Sequence, residues 1–227
     1  MKSEVDGVLV AAHELKAPLA VIRQLAFSLD ELAPQNEQIR SEMIQVSERA
    51  IKQVNDLAKV RRLEDGLFVM EPVSVRAICD DVSRELIHLY GKENKDLSVR
   101  YSNRARLVTA NHDLLYSVVY NFLLNAMHYS DNETRAELLV RDAKENVRIV
   151  VRDYGPALPV AIWRKIREGR LSEPTSIAMR PGSSGLGLYI ASEFSRYMHG
   201  KLGAVRHRDG TSFFVELPVS KQASLFV

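Results

Sequence analysis

The chain has 227 residues, 46% hydrophobic and 26% charged, enough for one large or two small globular domains. A formal net charge of +2, with basic residues scattered along the sequence, gives no electrostatic case for a nucleic-acid partner. Cys79 is the single cysteine, which excludes an internal disulfide and a cysteine metal site and fits a reducing compartment.

No apolar run reaches about 18 residues and the N-terminus is neither a signal peptide nor an anchor, so the chain reads as cytosolic or as the soluble end of a larger protein. A helix is expected from about Ser3 to Leu32, because Val8, Ala11, Leu15, Leu19, Ile22, Ala26 and Leu29 recur at steps of three and four. At about 100° per residue, His13 points away from that seam, toward solvent. Pro18 removes a helix donor and crowds the carbonyl of Glu14, so the helix should kink beside His13. Glu14 can bias the imidazole's tautomer and proton affinity, and Ala17 lies on His13's own face.

After a break at Ala33–Asn36 a second helix is expected, its seam being Ile39, Met43, Val46, Ala50, Leu57 and Val60, as far as Glu64-Asp65-Gly66. Two antiparallel helices with one seam each make a thin monomer. Pairing of residues 1–66 with a second copy into a four-helix bundle is the economical solution, so a homodimer is expected. From residue 67 to 227 the texture is that of an α/β layer on a mixed sheet. Strands are expected at Pro72–Val75, Leu97–Tyr101, Leu107–Thr109, Arg135–Val140, Asn146–Asp153, Lys201–His207 and Ser212–Leu217, the last two joined by a hairpin signalled by Asp209-Gly210. Helices are expected through Ile78–Leu89, Asn111–Tyr129, from near Pro159, and Ser184–Met198.

Three small patterns in this second part could carry chemistry. Asn121 and Asn125 lie four apart on one helix face, and their amide oxygens are hard neutral ligands suited to Mg²⁺ shared with phosphates; capping of nearby backbone is the other use of such residues. Asp153, then Gly155, follow a strand, where the carboxylate can accept from an exocyclic amine, although a tight turn also uses Asp-x-Gly. Gly185-Leu186-Gly187 opens a helix, whose backbone N–H groups and positive end suit a phosphate.

The order and spacing of these patterns, behind His-Glu-x-x-x-Pro on a helical hairpin, resemble the catalytic core of a bacterial two-component sensor histidine kinase, from His13 to about Leu217. The resemblance implies a dimerisation and histidine-phosphotransfer hairpin (1–66) followed by an ATP-binding domain (67–227) of the Bergerat type shared with gyrase and Hsp90. His13 would then be the phosphoacceptor and Glu14 its acid/base partner. Asn121 and Asn125 would hold Mg²⁺ and phosphates, Asp153 the adenine amine, and Gly155 would give the base access. Gly185, Leu186 and Gly187 would wrap the phosphates, and residues 158–181 would be a mobile lid, with Arg164, Lys165, Arg167, Arg170 and Arg180 each able to meet a phosphate but mostly a solvated face, and Trp163 core. The implied reaction consumes ATP, phosphorylates His13 and passes the phosphoryl group to an aspartate of a response regulator. The chain would be cytoplasmic, or the cytoplasmic portion of an inner-membrane sensor kinase. The alternative is a degenerate nucleotide-binding dimer acting as a scaffold or allosteric partner.

Some positions depart from the family pattern. Ala17 replaces a polar residue one helical turn past the histidine, which implies weak phosphatase activity. Ala157 and Ser183 replace glycines, and His128 a lysine, which puts ATP affinity in question. His88, His112, His199 and His207 have no metal-like spacing and are expected as surface or capping residues.

Overall fold

The computed structural model describes residues 18–27, 29, 36–102, 106–131, 134–171 and 186–221. Contacts divide the chain into two compact units: the helices before residue 63, and the α/β layer that makes up nearly all the rest.

In the first unit, residues 18–27 form helix α1 and Asn36–Arg61 form α2. Leu29 is already outside α1, its N–H reaching back only three residues to the Ala26 carbonyl at 3.3 Å, so the helix ends short of the expected Leu32. The expected seam of α1 is also displaced. Leu19 is 59% exposed and Ala26 is exposed, while Pro18, Ile22, Leu25 and Leu29 are half-buried. On α2 the expected seam holds, with Ile39, Met43, Val46, Leu57 and Val60 half-buried and Ala50 buried. Beside it runs an exposed apolar flank of Ile44, Ile51 and Val54. Asp56 is buried too, and its Oδ1 accepts from Lys59 Nζ at 3.2 Å.

The second unit runs β1 (Glu71–Ser74), α3 (Val75–Lys92), β2 (Asp96–Tyr101), β3 (Leu107–Ala110), α4 (His112–Tyr129), β4 (Arg135–Ala143), β5 (Asn146–Arg152), α5 (Val160–Arg167), α6 (Leu186–Tyr197), β6 (Lys201–His207) and β7 (Gly210–Pro218). Side-chain oxygens start two of the helices: Ser74 accepts from the Ala77 N–H and Asn111 from the Leu114 N–H. Five strands form one sheet in the order β2-β4-β5-β7-β6, and β1 pairs with β3 apart from it. Only β2 with β4 is parallel, so the sheet is mixed as expected.

The last hairpin differs in one detail from the sequence reading. His207 pairs directly with Gly210, so Arg208-Asp209 is the two-residue turn and Gly210 the first residue of β7. Gly210 has φ +144°, a conformation that L side chains rarely adopt.

Alternation along β5 and β7 sends Val147, Ile149, Val151, Phe213, Val215 and Leu217 into the core. There they meet α4, which is buried on nearly all sides between the sheet and α3, its neighbour. The Phe122 and Phe213 rings stack at 5.9 Å. Each of these buried side chains contributes about 1.5–3 kcal/mol. This packing fixes α4, and with it the two asparagines, against the strands that end at Asp153.

Candidate functional site

The site is built on the inner end of α4, the loop after β5 and the first turn of α6. Asn121 is 7% exposed, and its Nδ2 is buried with no hydrogen-bond partner among the described residues. A buried amide without a partner costs about 1–3 kcal/mol. Such groups are rare unless something outside the fold satisfies them. The Asn121 amide faces α6: a Cβ built on Gly187 would lie 3.1 Å from its Oδ1. Asn125, one turn further along α4, is half-buried. Asn121 thus stands beside the positive end of a twelve-residue helix, where anions are favoured.

Asp153 is 2% exposed at the end of β5. Register pairs Arg152 with Ser212, which places Asp153 beside Thr211. The Asp153 backbone N–H donates to the Thr211 carbonyl at 2.9 Å, and the Thr211 N–H donates to Asp153 Oδ1 at 2.9 Å. The Thr211 hydroxyl oxygen in turn accepts from the Leu158 N–H at 3.1 Å. Thr211 escapes sequence reasoning because it is 58 residues from Asp153 and only sheet register joins them. The carboxylate's charge is felt by buried Tyr90, whose phenol is pushed well above its ordinary range by burial first and by Asp153 second.

Gly155 has its own structural requirement. A Cβ there would fall 1.8 Å from the carbonyl oxygen of Tyr129, inside covalent-contact range, so the loop can lie against the last turn of α4 only with glycine. Two more bonds close the same seam: the Asp131 N–H donates to the Tyr154 carbonyl at 3.2 Å and the Tyr154 N–H to Ser130 Oγ at 3.5 Å. From the other side α4 is held by Tyr90 Oη donating to the Leu123 carbonyl at 2.6 Å and Lys95 Nζ to the Met127 carbonyl at 2.7 Å. Asp153, Gly155 and the asparagines are therefore one mechanically continuous assembly.

His13, Glu14, Ala17, Ser183 and Gly185 lie outside the described residues; Leu186 and Gly187 are the first two residues of α6. The lid expected over residues 158–181 is corrected in its first part. Leu158, Ile162, Ile166 and Leu171 are buried, and Arg206 Nε donates to the Leu158 carbonyl at 2.6 Å. Apolar residues at Ile162 and Ile166, one turn apart, anchor α5. Trp163 is half-buried rather than core, its Nε1 donating to the Ala204 carbonyl of β6 at 3.1 Å, with Arg167 over the ring at 5.3 Å. Residues 172–181 of the expected lid, Arg180 among them, lie outside the described residues. Among the basic residues, Arg164 and Arg170 are exposed, and Arg170 pairs with Glu168 at 2.6 Å. His207, expected at the surface, is half-buried and bonded to Ser212 Oγ at 2.8 Å.

Among the described residues no group of three His, Cys, Asp or Glu side chains could hold a metal ion. The donors that fit Mg²⁺ here are the amides of Asn121 and Asn125, which suits an ion that keeps its waters and is shared with phosphates.

Residues 110–221 match the model of the histidine kinase-, DNA gyrase B-, and HSP90-like ATPase family. The α/β domain belongs to this family. The probable sensor histidine kinase TcrY of Mycobacterium tuberculosis is 27% identical to the chain over 213 residues, covering 92% of this chain and 44% of TcrY. Other curated relatives that it matches are spanned over between 19% and 56% of their length. The histidine kinase AdeS of Acinetobacter baumannii shares the fold with a TM-score of 0.65 at 15% identity, covering 92% of this chain and 98% of AdeS. The histidine kinase ThkA, solved in complex with the response regulator protein TrrA, shares it with a TM-score of 0.64 at 18% identity, over 92% of this chain and 60% of ThkA. With its helices ahead of the ATPase domain, the chain has the make-up of a sensor histidine kinase catalytic core. No helix among the described residues is long and apolar enough to cross a membrane.

Proposed function

We propose that the chain is an ATP-dependent protein-histidine kinase that phosphorylates His13 and passes the phosphoryl group to an aspartate of a response regulator. The observation that carries the nucleotide site is the buried, unpartnered amide of Asn121 facing the first turn of α6. An anionic ligand at that helix end satisfies both features at once, its oxygens accepting from Asn121 Nδ2 and facing the helix N–H groups.

On this reading residues 1–66 form the dimerisation and phosphotransfer hairpin and residues 67–227 the catalytic ATP-binding domain. Asp153, oriented by the Thr211 N–H, accepts from the adenine amine, and Gly155 leaves the approach to the base open. Asn121 and Asn125 hold Mg²⁺, which neutralises phosphate charge, and Gly185, Leu186 and Gly187 line the phosphates. A neutral ring nitrogen of His13 attacks the γ-phosphorus, a P–N bond forms as the bond to the bridging oxygen breaks, and ADP leaves. Glu14 holds the other ring N–H so that the imidazole stays in the attacking tautomer and its new positive charge is offset. Positioning and charge neutralisation account for most of the rate. Ala17 offers no polar atom to orient water, so the phosphorylated regulator is not actively dephosphorylated.

A second copy completes the helical unit. Leu19, Val21 and Phe27 on α1, with Ile44, Ile51 and Val54 on α2, leave apolar surface exposed on the hairpin, and burying it against the same surface of another copy gives a four-helix homodimer. A response regulator is the partner the reading requires; ThkA, which shares the fold, is solved in complex with one. The chain would work in the cytoplasm, alone or as the inner part of a membrane-anchored sensor.

Incubation with γ-labelled ATP and Mg²⁺ tests the proposal. Acid-labile, base-stable label that disappears in His13→Gln is the expected result. Tight nucleotide binding with no label on the wild-type chain sinks the kinase reading and leaves a nucleotide-binding scaffold.

A further inference from the structure

Residues 67–70 lead into β1 at the start of the α/β unit, on the path from α2, and two side chains hold this otherwise open segment. Leu67 is 56% and Val69 72% exposed, so water could satisfy the backbone here. Instead Tyr197 Oη donates to the Phe68 carbonyl at 3.2 Å, and the Phe68 and Tyr197 rings meet edge to face at 6.0 Å and 81°. Asn111 Nδ2 donates to the Val69 carbonyl at 3.0 Å while its Oδ1 accepts from the Leu114 N–H at 3.2 Å. One asparagine therefore caps α4 and ties down the connection.

The two anchors share a placement. Asn111 is the N-cap of α4, about 15 Å along the helix from Asn121. Tyr197 is the last residue of α6, about 15 Å from Gly187 in its first turn. The far parts of the same two helices meet where Gly187 faces the Asn121 amide. A packed helix moves as a rigid body, so a change in the spacing of α4 and α6 at the nucleotide end is carried to the two points that hold the connecting segment.

We propose that Asn111 and Tyr197 are positioning residues for phosphoryl transfer, clamping Phe68 and Val69 to the two nucleotide-bearing helices so that the connection is ordered for delivery of phosphate to the helical unit when nucleotide is bound. The inference rests on the kinase and nucleotide-site readings above. It predicts a division of effects: loosening the clamp slows transfer without weakening ATP binding.

The test uses the full chain and the double variant Asn111→Asp with Tyr197→Phe. Aspartate keeps the cap on Leu114 and replaces the donor facing Val69 with an acceptor, and phenylalanine keeps the ring contact and removes the hydroxyl. The expected result is a fall of about tenfold or more in the initial rate of autophosphorylation, with the Kd for a fluorescent ATP analogue within about twofold of wild type. An unchanged rate overturns the proposal. So does a parallel loss of rate, affinity and Tm, which marks a merely structural role. Hydrogen exchange at residues 67–70 gives a reading that does not depend on catalysis. AMPPNP should slow it in the wild-type chain and not in the double variant; equal behaviour of the two chains overturns the clamp. If the wild-type chain takes no label, the kinase reading fails, and exchange alone decides the clamp.

Discussion

The helical unit and the ATPase domain solve the same problem in opposite ways. In the ATPase domain apolar side chains from α3, α4, α6 and the sheet close on one another, and Ile78, Leu86, Phe122, Ile149, Phe194 and Val215 are wholly buried. In α1 and α2 the described residues that are buried are Ala50 and Asp56, neither of them wholly, while Leu19, Phe27, Ile44 and Ile51 stay largely exposed. A sheet with helices stacked on it can bury both faces of a central helix within one chain, whereas two helices can bury only the strip between them. The ATPase domain is therefore self-sufficient, and on the proposed reading the helical unit depends on a second copy.

Variants on the two sides of this division should separate cleanly. His13→Gln should abolish acid-labile label, a loss beyond about a thousandfold, while leaving the binding of a fluorescent ATP analogue unchanged. A change in both would break the division. Asp153→Asn presents a donor where the adenine amine needs an acceptor and should weaken nucleotide affinity by about 10–100-fold in a titration, with dimer mass retained. Gly155→Ala drives a methyl group into the Tyr129 carbonyl and should destabilise the ATPase domain by about 3 kcal/mol. Calorimetry would show the loss as a drop of about 6–12 °C in that domain's transition. Ile51→Asp should shift the molecular mass by light scattering from dimer toward monomer at micromolar concentration. Loss of dimer should leave the ATPase transition where it was, because Ile51 belongs to the other unit.

The smallest effect concerns pH. Burial, then the nearby Arg152, push the His207 imidazole below its ordinary value of 6.5, against a weaker opposing pull from Asp209. The unfolded chain thus binds the proton first, so the stability that neutral His207 supplies is complete above pH 6.5 and falls as pH drops below it. The Tm of the ATPase domain should show a shallow decline on that side, absent in His207→Gln.

Much of this architecture is legible in the letters. Seven runs of alternating or β-branched residues become the seven strands, since the period-2 pattern is a direct image of a sheet with one buried face. Asn121 and Asn125 stand on α4, Asp153 follows β5 and Gly187 lies in the first turn of α6 for a related reason, while Gly185 lies outside the described residues. Local chemistry at a helix face, a strand end and a helix start needs only near neighbours to be read. The seam of α1 was misplaced because Leu19 and Leu25 are both apolar and periodicity cannot rank them. The first part of the expected lid was misread because the Ile162 and Ile166 anchors look the same whether or not β6 is there to receive them.

By itself, then, the sequence determined the elements, their order and the residue types able to handle a nucleotide, all properties of short windows. The tertiary structure decided what those windows could not contain: that Thr211 orients Asp153 across 58 residues, that Gly155 yields to the carbonyl of Tyr129, and that Tyr197 reaches back 129 residues to hold Phe68. Each depends on register and packing between distant segments, a geometry that exists only once the core has closed.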